Sequence, residues 1–413
     1  MVLQREIIKD CCQSKIKNEW LESKDSFPTF LTAISNETKS ENENYIQTIS
    51  NSFKKQLNSF SRIPIGRKRW KKKTIDLFNQ VLSQETIIGI HLFLNQQTLD
   101  LFHEELMEFI RQVRTFAPEL LINEIGQAIR NYIVYLMFKE LNNAEHEFNI
   151  ACFGYSMLYP FTDNYIDSNE YSDEEKQQYN QIIRDKIKGK VIHPTSVHQE
   201  RTCDLLHSIE SRYPRQTDST IFNLLLMMLE AQENSLLQQN SNVILTVDER
   251  LDISLYKGGV SVLIDRFFVD KEITEEDMVF YLEFGFFLQL ADDLRDIEED
   301  SNNGNQTIFT FDLRFEQQEK VVNKMLNFLN QIMDTYQAEN NIFKNFILIN
   351  CYQLIYLSVA GSKRFFSKEY LDKLEVYLNV SYLFIERLNS DQLTNKKPNS
   401  PDKYMKILDE MIF

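Results

Sequence analysis

Residues that break helices are scarce in this chain: ten glycines and eight prolines are spread over 413 positions, each well below the roughly 5–7% of an average protein. So few breakers over such a length require long helices. Apolar residues recur at helical spacing. Leu99, Phe102, Leu106, Phe109 and Ile110 form one set, and Ile122, Ile125, Ile129, Ile133 and Leu136 another, with Pro118 between them. No strand alternation persists, and no internal repeat of fixed period is visible. The expectation is an all-α chain: a single large helical bundle of ten or more helices.

The most informative stretch is Gly285–Asp296, where an apolar run meets Asp292, Asp293 and Asp296, with Glu298, Glu299 and Asp300 behind them. Thr274, with Asp277 three residues on, reads as the start of this helix, and the pattern stays helical to about Glu298. Asp292 and Asp296 then share one face a turn apart, and Asp293 lies beside them. They fall at the helix C-terminal end, where the dipole is negative and cations are preferred. That placement is electrostatically poor unless positive charge arrives. A hard divalent cation suits it: Mg²⁺ takes one or two carboxylates, keeps several waters and binds phosphate oxygens. One such cluster is commonly just a solubilised helix end, but the pattern occurs twice. Asp163-Asn164-Tyr165-Ile166-Asp167 closes the apolar stretch Phe148–Phe161 and again sets two aspartates four apart.

Gly285-x-x-x-Gln289-x-x-Asp292-Asp293-x-x-Asp296 resembles the second aspartate-rich motif of trans-prenyl diphosphate synthases. Asp163-Asn164-x-x-Asp167 resembles the first, with Asn164 in place of its second acid. Between them, Lys257-Gly258-Gly259-Val260-Ser261-Val262-Leu263 is similar to the family's Lys-Thr-x-x-Leu segment, whose lysine binds diphosphate at a helix break. The motifs keep the family's order, with Asp163 and Asp292 129 positions apart. The resemblance spans roughly residues 85–370, is sharp between 148 and 310, and points to the class I isoprenoid synthase superfamily.

The resemblance implies an isoprenoid-synthase-type α-bundle over residues 85–413, with a central active-site cavity, behind an N-terminal helical or loop extension, 1–84. It implies that Asp163, Asp167, Asp292 and Asp296 are catalytic and that, with Asp293, they hold Mg²⁺, three ions with the substrate diphosphate, Mn²⁺ being the alternative ion. Lys257, Gln289, Arg295, Arg212 and Arg215 are the implied diphosphate contacts. Phe153, Tyr165, Phe284 and Leu288, close to the acids in sequence, are the implied lining of a hydrocarbon chamber. Elongating members usually carry paired arginines after the first motif and an early Gly-Lys-Arg site. Here acids follow Asp167, and the run Arg62–Lys73 matches that site poorly. The implied function is therefore a terpene synthase, a cyclase or lyase that ionises a linear prenyl diphosphate of roughly C15 to C25 to a terpene hydrocarbon or alcohol plus diphosphate. An elongating or head-to-head prenyltransferase is the alternative, since both aspartate pairs also satisfy Asp-x-x-x-Asp. A non-catalytic helical partner of a synthase is a further one, and Asn164 is the residue that favours it.

Several features keep two readings. Lys257 is a phosphate ligand or a surface lysine lying along apolar surface. Gly258-Gly259 reads as a kink that frees backbone groups to face a ligand. Arg212 and Arg215 flank Pro214 as surface charges or as a diphosphate sensor. The basic run Arg62–Lys73 is a solvated helix start or loop, or it meets an anionic membrane surface or substrate phosphates. Ser35–Asn44 reads as an exposed loop and Asn389–Asp402 as a loop or lid.

The formal charge of −16 argues against non-specific nucleic-acid binding. Five cysteines form no C-x-x-C pair and no metal spacing with the six histidines, which argues against zinc. Their odd number, with no signal-peptide pattern, fits a reducing cytoplasm. The apolar windows near 279–291 and 346–360 are too short, or too interrupted by Asn350 and Gln353, to span a bilayer. The expectation is a soluble cytoplasmic protein without a transmembrane segment, with a homodimer admitted.

Overall fold

The computed structural model describes residues 5–394 and 401–412, apart from 62, 86, 169, 240 and 241. Its α-helices, in chain order, are α1 (Arg5–Asp10), α2 (Lys17–Glu22), α3 (Asn36–Asn58), α4 (Pro64–Gln84), α5 (Gln96–Phe116), α6 (Ile122–Leu141), α7 (Ile150–Asp167), α8 (Asp173–Ile187) and α9 (Val197–Arg212). There follow α10 (Ser219–Ser235), α11 (Val247–Asp270), α12 (Glu275–Arg295), α13 (Ile297–Asn303), α14 (Phe315–Thr335), α15 (Asn341–Gly361), α16 (Lys368–Glu375), α17 (Tyr382–Thr394) and α18 (Pro401–Ile412). There is no strand among the described residues. The expected all-α bundle is what the chain forms.

The antiparallel pair α11–α12 is its centre. α10, α6 and α7 pack on α11, and α14 and α15 pack on α12. α12 begins as its sequence predicts: the Thr274 hydroxyl accepts from the Asp277 N–H at 3.0 Å, and the Asp277 carboxylate accepts from the Thr274 N–H at 3.0 Å. Phe280, Tyr281, Phe284, Phe286 and Phe287 then bury almost completely, so this helix is apolar nearly all round, as a central helix must be.

α11 is a continuous helix through Gly258-Gly259. The helix is not interrupted there, and the glycines serve a close approach. A Cβ built on Gly258 would lie 2.3 Å from the carbonyl oxygen of Gly285, and one on Gly285 would lie 2.2 Å from the carbonyl oxygen of Gly258. The helices touch backbone to backbone, which only residues without a Cβ permit.

Three further expectations change. The N-terminal sixty residues look polar, yet Ile8, Cys12, Ile16 and Trp20, each four apart, are all buried. Trp20 sits edge-on to Phe286 and Phe328 at 5.4 and 5.6 Å, so residues 5–22 pack on α12 and α14. Ser35–Asn44 is the start of a helix, because the Ser35 hydroxyl caps the Thr38 N–H. The stretch Asn389–Asp402 holds the end of α17 and the start of α18, and residues 395–400 lie outside the described residues. α15 is long and apolar enough to cross a membrane by length and composition, but it buries Phe343, Phe346, Ile347, Ile355 and Val359 within the bundle.

Gly285→Ala should destabilise the fold by about 1–3 kcal/mol, the usual cost of overpacking. Gly126→Ala in α6, where an added Cβ meets nothing within 4 Å, should be neutral or stabilising by up to about 1 kcal/mol. Urea denaturation of both variants checks this; equal effects would mean that the contact between the helices is not tight.

Candidate functional site

The glycine contact decides which side chains meet. With α11 and α12 this close, Ser254 donates across to Asp293 Oδ2 at 3.2 Å, while Gln289, one turn earlier on α12, donates to Asp293 Oδ1 at 2.9 Å. One turn along each helix, Lys257, Gln289, Asp292, Asp293 and Asp296 line one polar recess of about 230 Å³. Asp300 on α13 joins them, because α12 runs into α13 through Asp296 and keeps the four-residue spacing. The far lip is tied down. The Gln306 N–H bonds the carbonyl of Gln238 at 2.8 Å, and Arg250 donates to the carbonyl of Thr307 at 2.8 Å.

The recess holds more acid than base. Lys257 is the one cation that lines it, half-buried and without an ion pair among the described residues. Arg295 lies at its edge and bridges Asp292 and Asp296. Burial pushes the Asp293 carboxyl up to about 7, against the pull of Gln289 and with Asp292 adding repulsion. Asp292 is raised by desolvation, although half its side-chain area is open, and Arg295 only partly offsets this. Asp300 is raised too, by burial and by Asp296, while Asn305 donates to it at 2.8 Å. Among the described residues no three His, Cys, Asp or Glu side chains are grouped so as to hold a metal ion by themselves. A cation here would complete its shell with water or with a ligand's oxygens, which is the habit of Mg²⁺.

Beside the recess lies an apolar cleft of about 50 Å³ between α7, α8 and α10, lined by Tyr155, Leu158, Tyr159, Ile183, Leu225 and Met228. Ile166 and Gln232 belong to the walls of both. Asp163 borders the cleft and accepts from the Thr162 hydroxyl at 3.0 Å. Asn164 turns the other way. Its amide pairs reciprocally with that of Gln127 on α6, at 3.1 and 3.2 Å. The Asp167 side chain lies outside the described residues.

Behind the cleft is a buried polar chain that sequence reasoning missed. The Tyr159 hydroxyl meets Ser261 Oγ at 2.6 Å and the Tyr155 hydroxyl at 3.3 Å. One turn from Ser261, Asp265 is fully buried. Asn131 donates to one of its oxygens at 3.1 Å, and the other has no partner among the described residues. Burial raises this carboxyl well above the usual range, because it disfavours the charged form. The signal was present in the four-residue spacing of Lys257, Ser261 and Asp265 along α11.

Other sequence candidates fall elsewhere. Arg215 is occupied: it bonds Glu210 and the carbonyls of Lys186 and Ile187 at the end of α8, and it covers the Phe222 ring. Arg212 is exposed. Its neighbour Tyr213 bonds Asn149, the N-cap of α7, fourteen residues and so about 21 Å along that helix from Asp163. Neither arginine belongs to the recess. Phe153 packs among Phe109, Phe116 and Phe148. Phe284 stacks between Phe280 and Phe287, Leu288 packs against the core, and Tyr165 stacks on Tyr171 and His198. None of these four lines the recess or the cleft; Tyr155 and Tyr159 are the aromatic residues that do.

The pH dependence of stability tests the recess. Asp293 ionises near 3.8 when unfolded and near 7 when folded. Between these values the folded state binds the extra proton, so stability falls as pH rises. In metal-free buffer Asp293→Asn should remove that slope, about 1.4 kcal/mol per pH unit at its steepest, and so gain on the parent from pH 4 to 7. Parallel slopes in urea titrations would mean that Asp293 ionises normally. No family model matches the chain and no curated protein is significantly similar to it, so the geometry and the chemistry carry the functional reading.

Proposed function

We propose that the protein is a class I isoprenoid-synthase-type enzyme, a terpene synthase that ionises a linear prenyl diphosphate and releases a terpene and diphosphate. The observation that carries this is the junction at Ile166 and Gln232, where an acidic recess bearing a lysine adjoins an apolar, tyrosine-walled cleft. Such a junction matches an amphiphile with an anionic head and a hydrocarbon tail.

Asp292 and Asp296, with Asp163 and Asp167 from α7, would hold Mg²⁺, which when bound neutralises the charge that builds on the departing diphosphate. Lys257 gives its ammonium group to the same phosphate oxygens and stabilises charge that develops as the carbon–oxygen bond breaks. Arg295 bridges two of the acids at rest; released from them, its guanidinium is free to meet phosphate. Asp293 is fixed by Ser254 and Gln289, so it orients the helix end more than it binds. The cleft takes the tail and keeps water from the cation that ionisation leaves, and the Tyr155 and Tyr159 rings offer it π faces. At about 50 Å³ the closed cleft has room for only a few waters. A prenyl chain therefore enters by displacing the aliphatic side chains of α10, of which Met228 is the most adaptable. With Lys257 the only cation among the described residues that line the recess, one diphosphate is served better than two, which favours a lyase over an elongating transferase.

Incubation with Mg²⁺ and separate C10, C15, C20 and C25 prenyl diphosphates, with and without isopentenyl diphosphate, should give a hydrocarbon or alcohol that does not require the second substrate. Lys257→Ala should lower turnover by about 10²–10³, as loss of a charge-stabilising donor does, and Asp163→Asn and Asp292→Asn should each cost at least as much. Asn164→Asp should change turnover by less than about tenfold, roughly 1.4 kcal/mol, because residue 164 faces Gln127 and not the cleft. No product from any substrate, together with no rise in melting temperature on adding Mg²⁺ and pyrophosphate, would leave a helical scaffold. An activity that only Asn164→Asp switches on would identify the parent chain as a pseudoenzyme.

A further inference from the structure

Helix α4 carries the basic run of the sequence, and its two faces differ. On the inner face Arg67 meets Glu410 of α18 at 3.1 Å. Trp70 is buried and donates from Nε1 to the carbonyl of Gln56 on α3 at 2.7 Å, and Gln56 returns a bond to Thr74 at 2.9 Å. Phe78 packs on His103. Positions 67, 70, 74 and 78 fall at three- and four-residue steps, so one stripe pins the helix to the bundle.

The opposite stripe is Ile65, Lys68, Arg69, Lys72 and Lys73, all exposed. None of its four cations makes an ion pair among the described residues, and Asp76 is the acid that shares the face. At the N-terminal tip Ile63 and Ile65 are 67% and 84% exposed. Four unpaired cations within two turns stand out on a chain of net charge −16, because the field at α4 is opposite in sign to that of the whole molecule.

We propose that this face of α4 docks on an anionic lipid bilayer, its four cations on the headgroups and Ile63 and Ile65 in the interfacial layer. Basic side chains clustered on a helix are attracted by the negative potential of such a surface, each contributing separately and only within a Debye length. Apolar residues at the edge of the basic stripe add the burial that an amphipathic interfacial helix uses. A nucleic acid would engage the cations but leave the isoleucines in water. This surface is separate from the recess and independent of the reaction proposed above.

Full-length protein should co-sediment with vesicles containing roughly one-third phosphatidylserine, not with pure phosphatidylcholine vesicles, and high salt should release it. Lys68→Ala with Lys72→Ala should lower partitioning by about 25-fold, fivefold for each charge removed. Ile63→Ser with Ile65→Ser should weaken binding but keep its salt dependence. Asp76→Asn should strengthen binding to the anionic vesicles and leave the neutral ones unbound, a selectivity that the exposed apolar surface of a misfolded variant would not show. Equal binding to neutral vesicles, no binding to anionic ones, indifference to the double alanine change, or tighter binding to a duplex oligonucleotide in the same buffer would each overturn the assignment.

Discussion

The site rests on one steric contact, the backbone approach of Gly258 on α11 to Gly285 on α12. A side chain at either position would push the helices apart. It would also move Ser254 off Asp293, whose other oxygen Gln289 holds from within α12. Lys257 stands next to the contact on one helix, and Asp292, Asp293 and Asp296 follow it on the other within about three turns. Half of the recess is therefore as rigid as the core. The apolar cleft between α7, α8 and α10 shares Ile166 and Gln232 with the recess.

Electrostatics explains why such a site is costly to keep. Asp292, Asp293, Asp296 and Asp300 face one recess, against Lys257 inside and Arg295 at the edge. The fold reduces the repulsion in two ways: it holds Asp293 protonated until about neutrality, and it draws Arg295 across Asp292 and Asp296. Neither cancels it. Groups whose ionisation is opposed by their surroundings are found more often at functional sites than in plain structural networks, and a fold gains nothing from placing Asp292 and Asp293 in the last turn of α12, at its negative end.

The sequence was most legible where local rules decide. The Thr274 cap, the helical run to the acids and the shared face of Asp292 and Asp296 need only spacing and capping, and they stand as read. Legibility failed where a neighbour decides. Gly258 and Gly259 lack a Cβ, which a kink and a tight crossing use equally; the answer lay in Gly285, 27 positions away. Phe153 and Phe284 are near the acids in sequence but turn into the core, whereas Tyr155 and Tyr159 turn to the cleft. A periodicity that is apolar all round a helix cannot say which side faces a cavity. Arg215 looked free because its partners, the last carbonyls of α8 and Glu210, carry no sequence signature. The first helices were hidden because one buried stripe, Ile8 to Trp20, is diluted by three polar faces.

The hydroxyl groups around the cleft bear on the proposed chemistry. A cavity meant for a reactive cation is poorly served by free hydroxyls, which trap cations as readily as water does. Here Tyr155 and Tyr159 bond each other, and Tyr159 and Ser261 bond across to α11. Thr162 donates to the Leu158 carbonyl and to Asp163. The oxygen atoms are thus engaged with one another, and what the wall offers a guest is ring face and aliphatic surface. Holding a hydroxyl in such a chain also limits its turning toward a guest, since a buried donor left without its acceptor costs about 1–3 kcal/mol. Asp265, one turn along α11 from Ser261, is buried there, and that burial raises its carboxyl well above the usual range and so opposes a charge behind the wall. The polar groups that a dry cleft would be expected to lack are in this way compatible with one.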